Sequence, residues 1–186
     1  MNRSEQEVVR DIQRGDHEAF AELVHTYQRR LFGLVMMMVR ESAGAEEVTQ
    51  DAFVRAYTHI DTFEGHRPFY PWLASIAVRL AQNWLRSHGR TARRDGTALE
   101  QVAEPGINPV ALTTLIADQR SRRLWQTVAS LSSGERTAVV LYYRDQMAVR
   151  DIASALCVSS GTIKTLLFRA RRHLRERLHE IQETSR

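Results

Sequence analysis

The side chains with the clearest chemical potential lie near the C-terminal end, between Ser160 and Arg177. Six basic residues and one acid fall in this stretch, with hydroxyl and aromatic side chains among them. Lysine and arginine bind phosphates or guanine, hydroxyls bond to base edges, and an aromatic ring packs against a thymine methyl group. The pattern therefore predicts a surface that reads duplex DNA. Its candidate contact residues are Ser160, Thr162, Lys164, Thr165, Phe168, Arg169 and Arg172.

The sequence around this basic segment has the pattern of a helix-turn-helix. A short amphipathic segment, Val149–Leu156, is followed by a break at residues 157–159 and by a second segment from Ser160 to Leu178. Ser159 or Ser160 is suited to cap the second helix. Its predicted buried side consists of Ile163, Leu166, Leu167 and Ala170. We expect the second helix to enter the major groove. In the alternative interpretation, the ring of Phe168 packs against the first helix of the helix-turn-helix and does not contact DNA.

A second basic region lies in the middle of the chain, where residues 79–94 contain five arginines and no acid. The loop before it, Phe63–Pro71, is rich in aromatic and basic residues. A cationic track beside aromatic rings is typical of single-stranded DNA binding. The candidate contact residues are His66, Arg67, Phe69, Tyr70, Arg79, Asn83, Arg86 and Arg90. In the alternative interpretation the loop aromatics cover a core, and a core position is favoured for Trp72 and Trp84.

A third charged segment is acidic. Residues 41–64 contain six acids and one arginine. Because charges of opposite sign are segregated along the chain, at least two kinds of partner are expected, one of them polyanionic. Solvated helix faces are the alternative interpretation of all three charge clusters.

Helical periodicity runs through the sequence, whereas the period-two alternation of strands is absent. Three apolar stripes predict three helices in the first half, the first one stopped by Gly44 and the third one ending near Gly89. Ser132 and Glu135 predict a capping box. Periodicity is lost from about Asp95 to Asn108. We therefore predict an all-α chain of two small helical domains, 1–94 and 112–186, joined by a flexible linker at 95–111. The stripes are Phe20, Leu23, Val24, Tyr27, Leu31, Leu34, Val35 and Met38; Val48, Ala52, Ala56 and Ile60; and Trp72, Ile76, Leu80 and Trp84.

Composition narrows the function classes. The chain has 186 residues, of which 43% are hydrophobic, and a single cysteine, so neither an intramolecular disulfide nor a cysteine-type zinc site is available. Its longest apolar run, Leu31–Val39, is far short of the roughly 20 residues that cross a bilayer. We expect a cytoplasmic protein without membrane insertion.

Glu22 and His25 have the Glu-x-x-His spacing of the di-iron sites in helical bundles, but such a site needs two copies of this motif. No metal, cofactor or catalytic residue is therefore predicted.

Four segments in this order resemble the extracytoplasmic-function (ECF) sigma factors of the sigma-seventy family. They are Gly15–Val35, Ala45–Phe63, Pro71–Arg90 and Leu131–Leu174. The resemblance implies a non-enzymatic subunit that directs core RNA polymerase to promoters and helps to open them. It implies contact with melted DNA at the downstream element, contact with duplex DNA at the upstream element, and sequestration by an anti-sigma factor. It also implies that the polymerase clamp helices bind Glu47, Gln50, Asp51, Phe53 and Arg55.

Three residues depart from the family pattern. Arg79 stands where many members have asparagine, and Pro71 replaces a small polar residue, so downstream specificity is not transferred base by base. Cys157 stands where glycine is frequent. We interpret this cysteine as a tolerated small apolar residue, and the alternative is that it acts as a redox switch. The C-terminal segment also resembles response regulators, but their upstream sensor domain is usually α/β, which the first half does not match.

Overall fold

The computed structural model describes residues 3–94 and 119–184. The chain divides into two compact units, residues 1–98 and 99–186, which are described separately. The described part of the first unit contains α1 (Glu5–Gln13), α2 (Phe20–Val39), α3 (Ser42–Thr58) and α4 (Phe69–Arg94), with 3-10 turns at His17–Ala19 and Ile60–Thr62. That of the second contains α5 (Gln119–Ala129), α6 (Ser133–Val139), a π-helical turn (Val140–Arg144), α7 (Val149–Leu156) and α8 (Ser160–Thr184).

The predicted all-α class is confirmed, since all regular structure in residues 3–94 and 119–184 is helical. The predicted linker, 95–111, and the first residues of the predicted second domain, 112–118, lie outside the described residues. The exact domain boundaries therefore stay predictions.

The core of the first unit lies between α2, α3 and α4, which pack on one another. Leu31, Leu34 and Val35 of α2 are fully buried. The small residues Ala52 and Ala56 of α3 are also fully buried, which allows close approach of the neighbouring helices. The predicted stripes of α2 and α3 thus face the core, although Val24 and Tyr27 are only partly covered.

In the predicted apolar stripe of α4, Leu80 is buried and the other three members are partly covered. Trp72, Ile76 and Trp84 are only partly buried. The face that packs on α2 and α3 consists of Leu73, Ala74, Ala77, Val78, Leu80 and Ala81. The helix also begins at Phe69, not at Trp72. Pro71 therefore lies in the first turn, where a missing N–H costs no intrahelical hydrogen bond.

Gly44 was predicted to end the helix that is now α2, but it lies near the start of α3 instead. Helix α2 ends at Val39, and Arg40 takes the left-handed conformation (φ 64°) that closes it. A Cβ atom on Gly44 would stand 2.3 Å from Cζ2 of Trp84. The glycine is required because the indole of α4 packs directly on its backbone.

Helix α1 was not predicted, although a capping box marks its start. The backbone N–H and hydroxyl of Ser4 donate to Oε2 of Glu7 at 2.7 and 2.8 Å. This is the same Ser-x-x-Glu pattern that predicted the start of α6. Val8, Val9 and Ile12 form its buried side, and α1 packs on α2 and on the 3-10 turn Ile60–Thr62.

In the second unit, the predicted capping box at the start of α6 is present. The hydroxyl of Ser132 donates to Oε2 of Glu135 at 2.8 Å, and Nδ1 of His173 on α8 lies 3.3 Å from Oε1 of Glu135. The buried guanidinium of Arg136 donates to the carbonyls of Ala129 and Leu131 at 2.7 and 3.1 Å. These polar contacts tie α6 to α8 and to the end of α5.

The buried Glu135 carboxylate makes the second unit sensitive to acid. Burial alone would raise the pKa of Glu135, but the hydrogen bonds from Ser132 and the positive charge of His173 hold it below its ordinary value of 4.5. A lowered folded-state pKa gives stability that is present above the unfolded pKa and is lost as the pH falls through the folded pKa.

We expect Glu135→Gln to lower the free energy of unfolding at pH 7 by about 1 kcal/mol, because the negative charge at the start of α6 is lost. The loss is no larger because glutamine can keep the hydrogen bonds of the capping box. The difference from the unsubstituted protein should shrink as the pH falls below 4.5. Urea unfolding at several pH values measures it. Glu176→Gln on the exposed side of α8 is the control and should change stability by no more than about 0.5 kcal/mol. A difference that does not vary with pH would contradict the assignment.

Candidate nucleic-acid interface and docking surface

Helices α7 and α8 form the predicted helix-turn-helix. They meet at 105°, within the range typical of this motif. Cys157 closes α7 in the left-handed conformation (φ 54°, ψ 42°), and the N–H of Val158 donates to the carbonyl of Ala153 at 3.0 Å. Glycine adopts this left-handed conformation most readily, so Cys157 takes a position that is common for glycine at helix ends.

Ser159, not Ser160, caps the recognition helix α8. Its hydroxyl accepts a hydrogen bond from the N–H of Thr162 at 3.1 Å, and its carbonyl accepts one from the N–H of Ile163 at 3.2 Å. Ser160 is consequently the first helical residue, with its side chain exposed.

The two sides of α8 divide as predicted. Ile163, Leu167 and Ala170 are at most 2% exposed, and Leu166 is partly covered. Phe168 is 65% exposed, so the alternative in which it packs against α7 is wrong. All seven candidate DNA-contacting residues of α8 have exposed side chains: Ser160, Thr162, Lys164, Thr165, Phe168, Arg169 and Arg172.

The loop between the 3-10 turn Ile60–Thr62 and α4 presents His66 and Arg67 to solvent. Both are paired with Glu64, since its Oε2 atom lies 3.0 Å from Nε of Arg67 and 3.6 Å from Nε2 of His66. Sequence reasoning missed the pairing of Glu64 with both loop cations. Its spacing of three residues from Arg67 was the available signal.

Phe69 and Tyr70, predicted as base-stacking residues, are buried, with exposures of 0% and 3%. The ring of Phe69 lies 5.5 Å from those of Phe63 and Trp72, and the guanidinium of Arg30 lies 3.7 Å above the ring of Tyr70. A ring enclosed in this way has no face open to a base, so both assignments are corrected. The partly exposed aromatic next to the loop is Trp72.

One side of α4 is basic. Arg79, Asn83 and Arg86 are exposed, and their spacing of three and four residues places them on one side of the helix. Nη2 of Arg86 donates to Oδ1 of Asn83 at 2.5 Å, which orients both side chains. Arg90 continues this spacing on the helix backbone, but its side chain lies outside the described residues. Since α4 contains no acid, the track is uniformly cationic.

The predicted acidic surface lies on the exposed side of α3. Glu47, Gln50, Asp51 and Arg55 are exposed, and Oε2 of Glu47 accepts a hydrogen bond from the Trp84 indole at 3.2 Å. We call Glu47, Gln50, Asp51, Val54 and Arg55 the acidic stripe.

Two positions on α3 differ from the prediction. Phe53 is 8% exposed, and its ring packs edge-on at 6.4 Å from that of Phe20, so its assignment as a polymerase contact is corrected. Val54 was missed, yet it is 61% exposed, next to Arg55 and one helical turn after Gln50 and Asp51. An exposed apolar side chain with polar and charged neighbours is typical of the centre of a protein interface.

Among the residues that the structure describes, no three or more histidine, cysteine, aspartate or glutamate side chains are arranged to hold a metal ion. No single helix of that part of the chain is long and apolar enough to cross a membrane; α7 with residues 160–178 of α8 passes the length and composition test only as a pair bent by 105°.

Comparison with known proteins extends over almost the whole chain. Residues 23–91 match the Sigma-70 region 2 family, and residues 121–174 match the Sigma-70, region 4 family. The chain is 33% identical over 174 residues to the RNA polymerase sigma-H factor of Pseudomonas aeruginosa, covering 90% of each protein. It is 30% identical over 181 residues to the ECF RNA polymerase sigma factor SigW of Bacillus subtilis, covering 93% of this chain and 96% of the relative.

Solved structures share the fold. CnrH in complex with the cytosolic domain of CnrY is 22% identical, with a TM-score of 0.66 over 94% of this chain and 97% of the other. The sigma factor RpoE of Bartonella quintana, in complex with the anti-sigma factor NepR, is 24% identical, with a TM-score of 0.69 over 86% and 96%. The matches confirm the family predicted from the sequence and favour it over the response-regulator alternative. On these two family matches and on relatives that match at least 90% of its length, the chain belongs to the ECF sigma factors of RNA polymerase.

Proposed function

We propose that this chain directs core RNA polymerase to promoters through three separate surfaces: the acidic stripe of α3, the loop with the basic side of α4, and the recognition helix α8. The observation that carries the proposal is that one chain exposes all three. A repressor or activator needs only α8. An acidic stripe with an exposed apolar centre serves a protein partner, and a cationic track outside the helix-turn-helix serves a second stretch of DNA.

The acidic stripe is the proposed docking site for the clamp helices of core polymerase. Glu47 and Asp51 supply negative charge for a basic partner helix, Gln50 and Arg55 supply hydrogen bonds, and Val54 supplies the apolar anchor. Complementary charge steers encounter and fixes register, and the buried apolar centre resists dissociation.

The loop and the basic side of α4 are the proposed site for the melted downstream element. His66 and Arg67 occupy the exposed loop, and Arg79, Asn83 and Arg86 line the helix beside it; Arg90 would extend the track. The partly exposed Trp72 replaces Phe69 and Tyr70 as the aromatic available for an unpaired base. Base stacking of this kind contributes about 1–3 kcal/mol per base.

The recognition helix is the proposed reader of the upstream element in duplex DNA. Lys164, Arg169 and Arg172 are suited to phosphates or guanine, and the exposed Phe168 is suited to a thymine methyl group. Arg172 also lies 3.8 Å from Glu176, so binding DNA replaces an exposed ion pair of small net value.

We infer that the chain works in the cytoplasm, where the polymerase is, and that the polymerase performs the catalysis. An anti-sigma factor is the proposed regulator. The supporting observation is that RpoE of Bartonella quintana, which shares the fold, was solved with the anti-sigma factor NepR.

The test is transcription in vitro from a library of promoter fragments by core polymerase, with and without the chain. We expect new start sites that depend on it, because core enzyme alone lacks promoter specificity. An activator or repressor cannot create start sites with core enzyme alone, so an unchanged transcript pattern would contradict the proposal.

A further inference from the structure

The loop that is proposed to read melted DNA has few contacts of its own. Between the buried rings of Phe63 and Phe69, its described bonds within the loop are the Arg67 N–H donating to the carbonyl of Glu64 at 3.0 Å and the ion pairs of Glu64 with His66 and Arg67. Exposed ion pairs of this kind contribute little. The shape of the loop must therefore be set largely from outside it.

Gln13, in the last turn of α1, holds the beginning of the loop. Its Nε2 group donates to the carbonyls of Ile60 at 2.9 Å and Phe63 at 3.1 Å. A primary amide has two N–H donors, and both are used here on one short stretch of backbone.

Glu5, in the first turn of the same helix, holds the end of the loop. Its Oε1 atom accepts a hydrogen bond from the N–H of Phe69, the first residue of α4, at 2.9 Å. A carboxylate is favoured there because the first N–H groups of a helix lack partners and carry the positive end of its dipole. The other oxygen, Oε2, accepts from the hydroxyl of Tyr27 on α2.

Tyr27 keeps the carboxylate in place. Burial and the hydrogen bond to Glu5 raise the pKa of Tyr27, so the phenol remains a donor at physiological pH. Glu5 is thus fixed between α2 and α4. Along α1, Glu5 and Gln13 lie about 12 Å apart, and the buried residues Val8, Val9 and Ile12 between them anchor the helix.

We propose that α1 is a clamp that sets the conformation of the downstream-element loop, with Gln13 and Glu5 as its positioning residues. This inference rests on the proposed function of the loop. A loop held in its binding conformation loses less conformational freedom when it captures an unpaired base. Neither residue contacts DNA; each acts on His66 and Arg67 by fixing the backbone at the two ends of their loop.

The test uses holoenzyme on a promoter found with the unsubstituted chain, with 2-aminopurine in the non-template strand of the downstream element. Gln13→Leu and Glu5→Ala should each slow opening about five- to tenfold, the value of one or two lost hydrogen bonds. Both should also reduce the preference for the matched over a mutated downstream element. Affinity for core polymerase and for the upstream duplex should stay within about twofold of the unsubstituted protein, as expected for distant, independent sites.

Two control variants isolate the clamp. Gln6→Leu makes the same change at an exposed position of α1 and should open DNA at the normal rate. Glu5→Gln retains an oxygen acceptor for the N–H of Phe69 and should recover most of the rate that Glu5→Ala loses. Thermal unfolding of each variant identifies general destabilisation, which would lower every activity together and would overturn a positioning role.

A third variant separates failure of the clamp from failure of the proposed function. If His66→Ala/Arg67→Ala loses discrimination at the downstream element but Gln13→Leu and Glu5→Ala do not, the loop reads DNA without the clamp and this inference is wrong. If the loop variant also discriminates normally, the proposed function of the loop is wrong, and the inference fails with it.

Discussion

Asp51→Arg combined with Val54→Ser should reduce the affinity of the chain for core polymerase at least 100-fold, without unfolding it. Both side chains are exposed on α3, and Val54 is 61% exposed, so neither supports the core. Charge reversal places a cation against a basic partner helix, and such like-charge contacts cost several kcal/mol. Each 1.4 kcal/mol of binding free energy corresponds to a factor of about ten in affinity. The cost of the charge reversal and the cost of losing the apolar Val54 side chain are both expected to lower the affinity.

Labelled core polymerase titrated with each variant gives the affinities. Glu18→Arg is the matched control, because it makes the same charge change on the exposed 3-10 turn before α2. It should bind within about threefold of the unsubstituted protein, as expected for an exposed position away from the interface. Phe53→Leu, beneath the stripe, should lower stability more than affinity, since Phe53 packs on Phe20. Normal co-purification of the double variant with core enzyme would remove the docking assignment.

The bounds of the helix-turn-helix followed from local features of the sequence. The break at 157–159 ends in Ser159, which caps α8, and the two segments on either side have clear amphipathic patterns. Helix ends of this kind depend on neighbouring residues, so α7 and the start of α8 lie where predicted. The exposed side of α8 also followed from spacing alone, because its buried residues recur at intervals of three and four.

The arrangement of the loop and α4 depends on distant residues, and there the prediction failed. The capping group of α4 is Glu5, which lies 64 residues earlier in the chain. Tyr70 is covered by Arg30, which no local pattern indicates. The stripe through Trp72 and Trp84 follows helical spacing, but the most buried side of α4 includes Ala74, Ala77 and Ala81, whose small side chains allow close helix packing.

The predicted stop at Gly44 failed for a different physical reason. Glycine is the usual residue in the left-handed conformation, and Gly15 has a positive φ angle, but so do Arg40, Gln146 and Cys157. Gly44 is small because Trp84 lies against it. A glycine in a sequence indicates either a left-handed backbone conformation or a place where another side chain packs directly on the backbone. Only the tertiary structure distinguishes these two causes.

The second large effect is expected on the recognition helix. Lys164→Ala combined with Arg169→Ala should weaken promoter binding by holoenzyme about 10- to 100-fold, while leaving affinity for core polymerase unchanged, since a base contact contributes about 1–3 kcal/mol. Each phosphate contact that is lost should also reduce the slope of log affinity against log salt by about 0.9. Both side chains are exposed, so a loss of folding is not expected to contribute.

Binding to matched and mutated upstream elements at several salt concentrations separates the two kinds of contact. Arg177→Ala is the control, because it removes a positive charge from the same helix about 12 Å further along than Arg169 and about 80° around the axis from it. It should change promoter affinity by less than about twofold, as an exposed residue away from the groove. Phe168→Ala removes an exposed ring without removing charge. It should therefore reduce discrimination between upstream elements and leave the salt slope unchanged, because counterion release depends on charge alone.

Each pattern of results assigns the residues differently. A variant that loses affinity equally for all sequences, with a smaller salt slope, has lost a phosphate contact. A variant that loses affinity only for the matched element has lost a base contact. If the Lys164/Arg169 double variant binds and transcribes from the promoter as the unsubstituted chain does, α8 does not lie in the major groove in the proposed orientation. The exposed Phe168 would then need another partner.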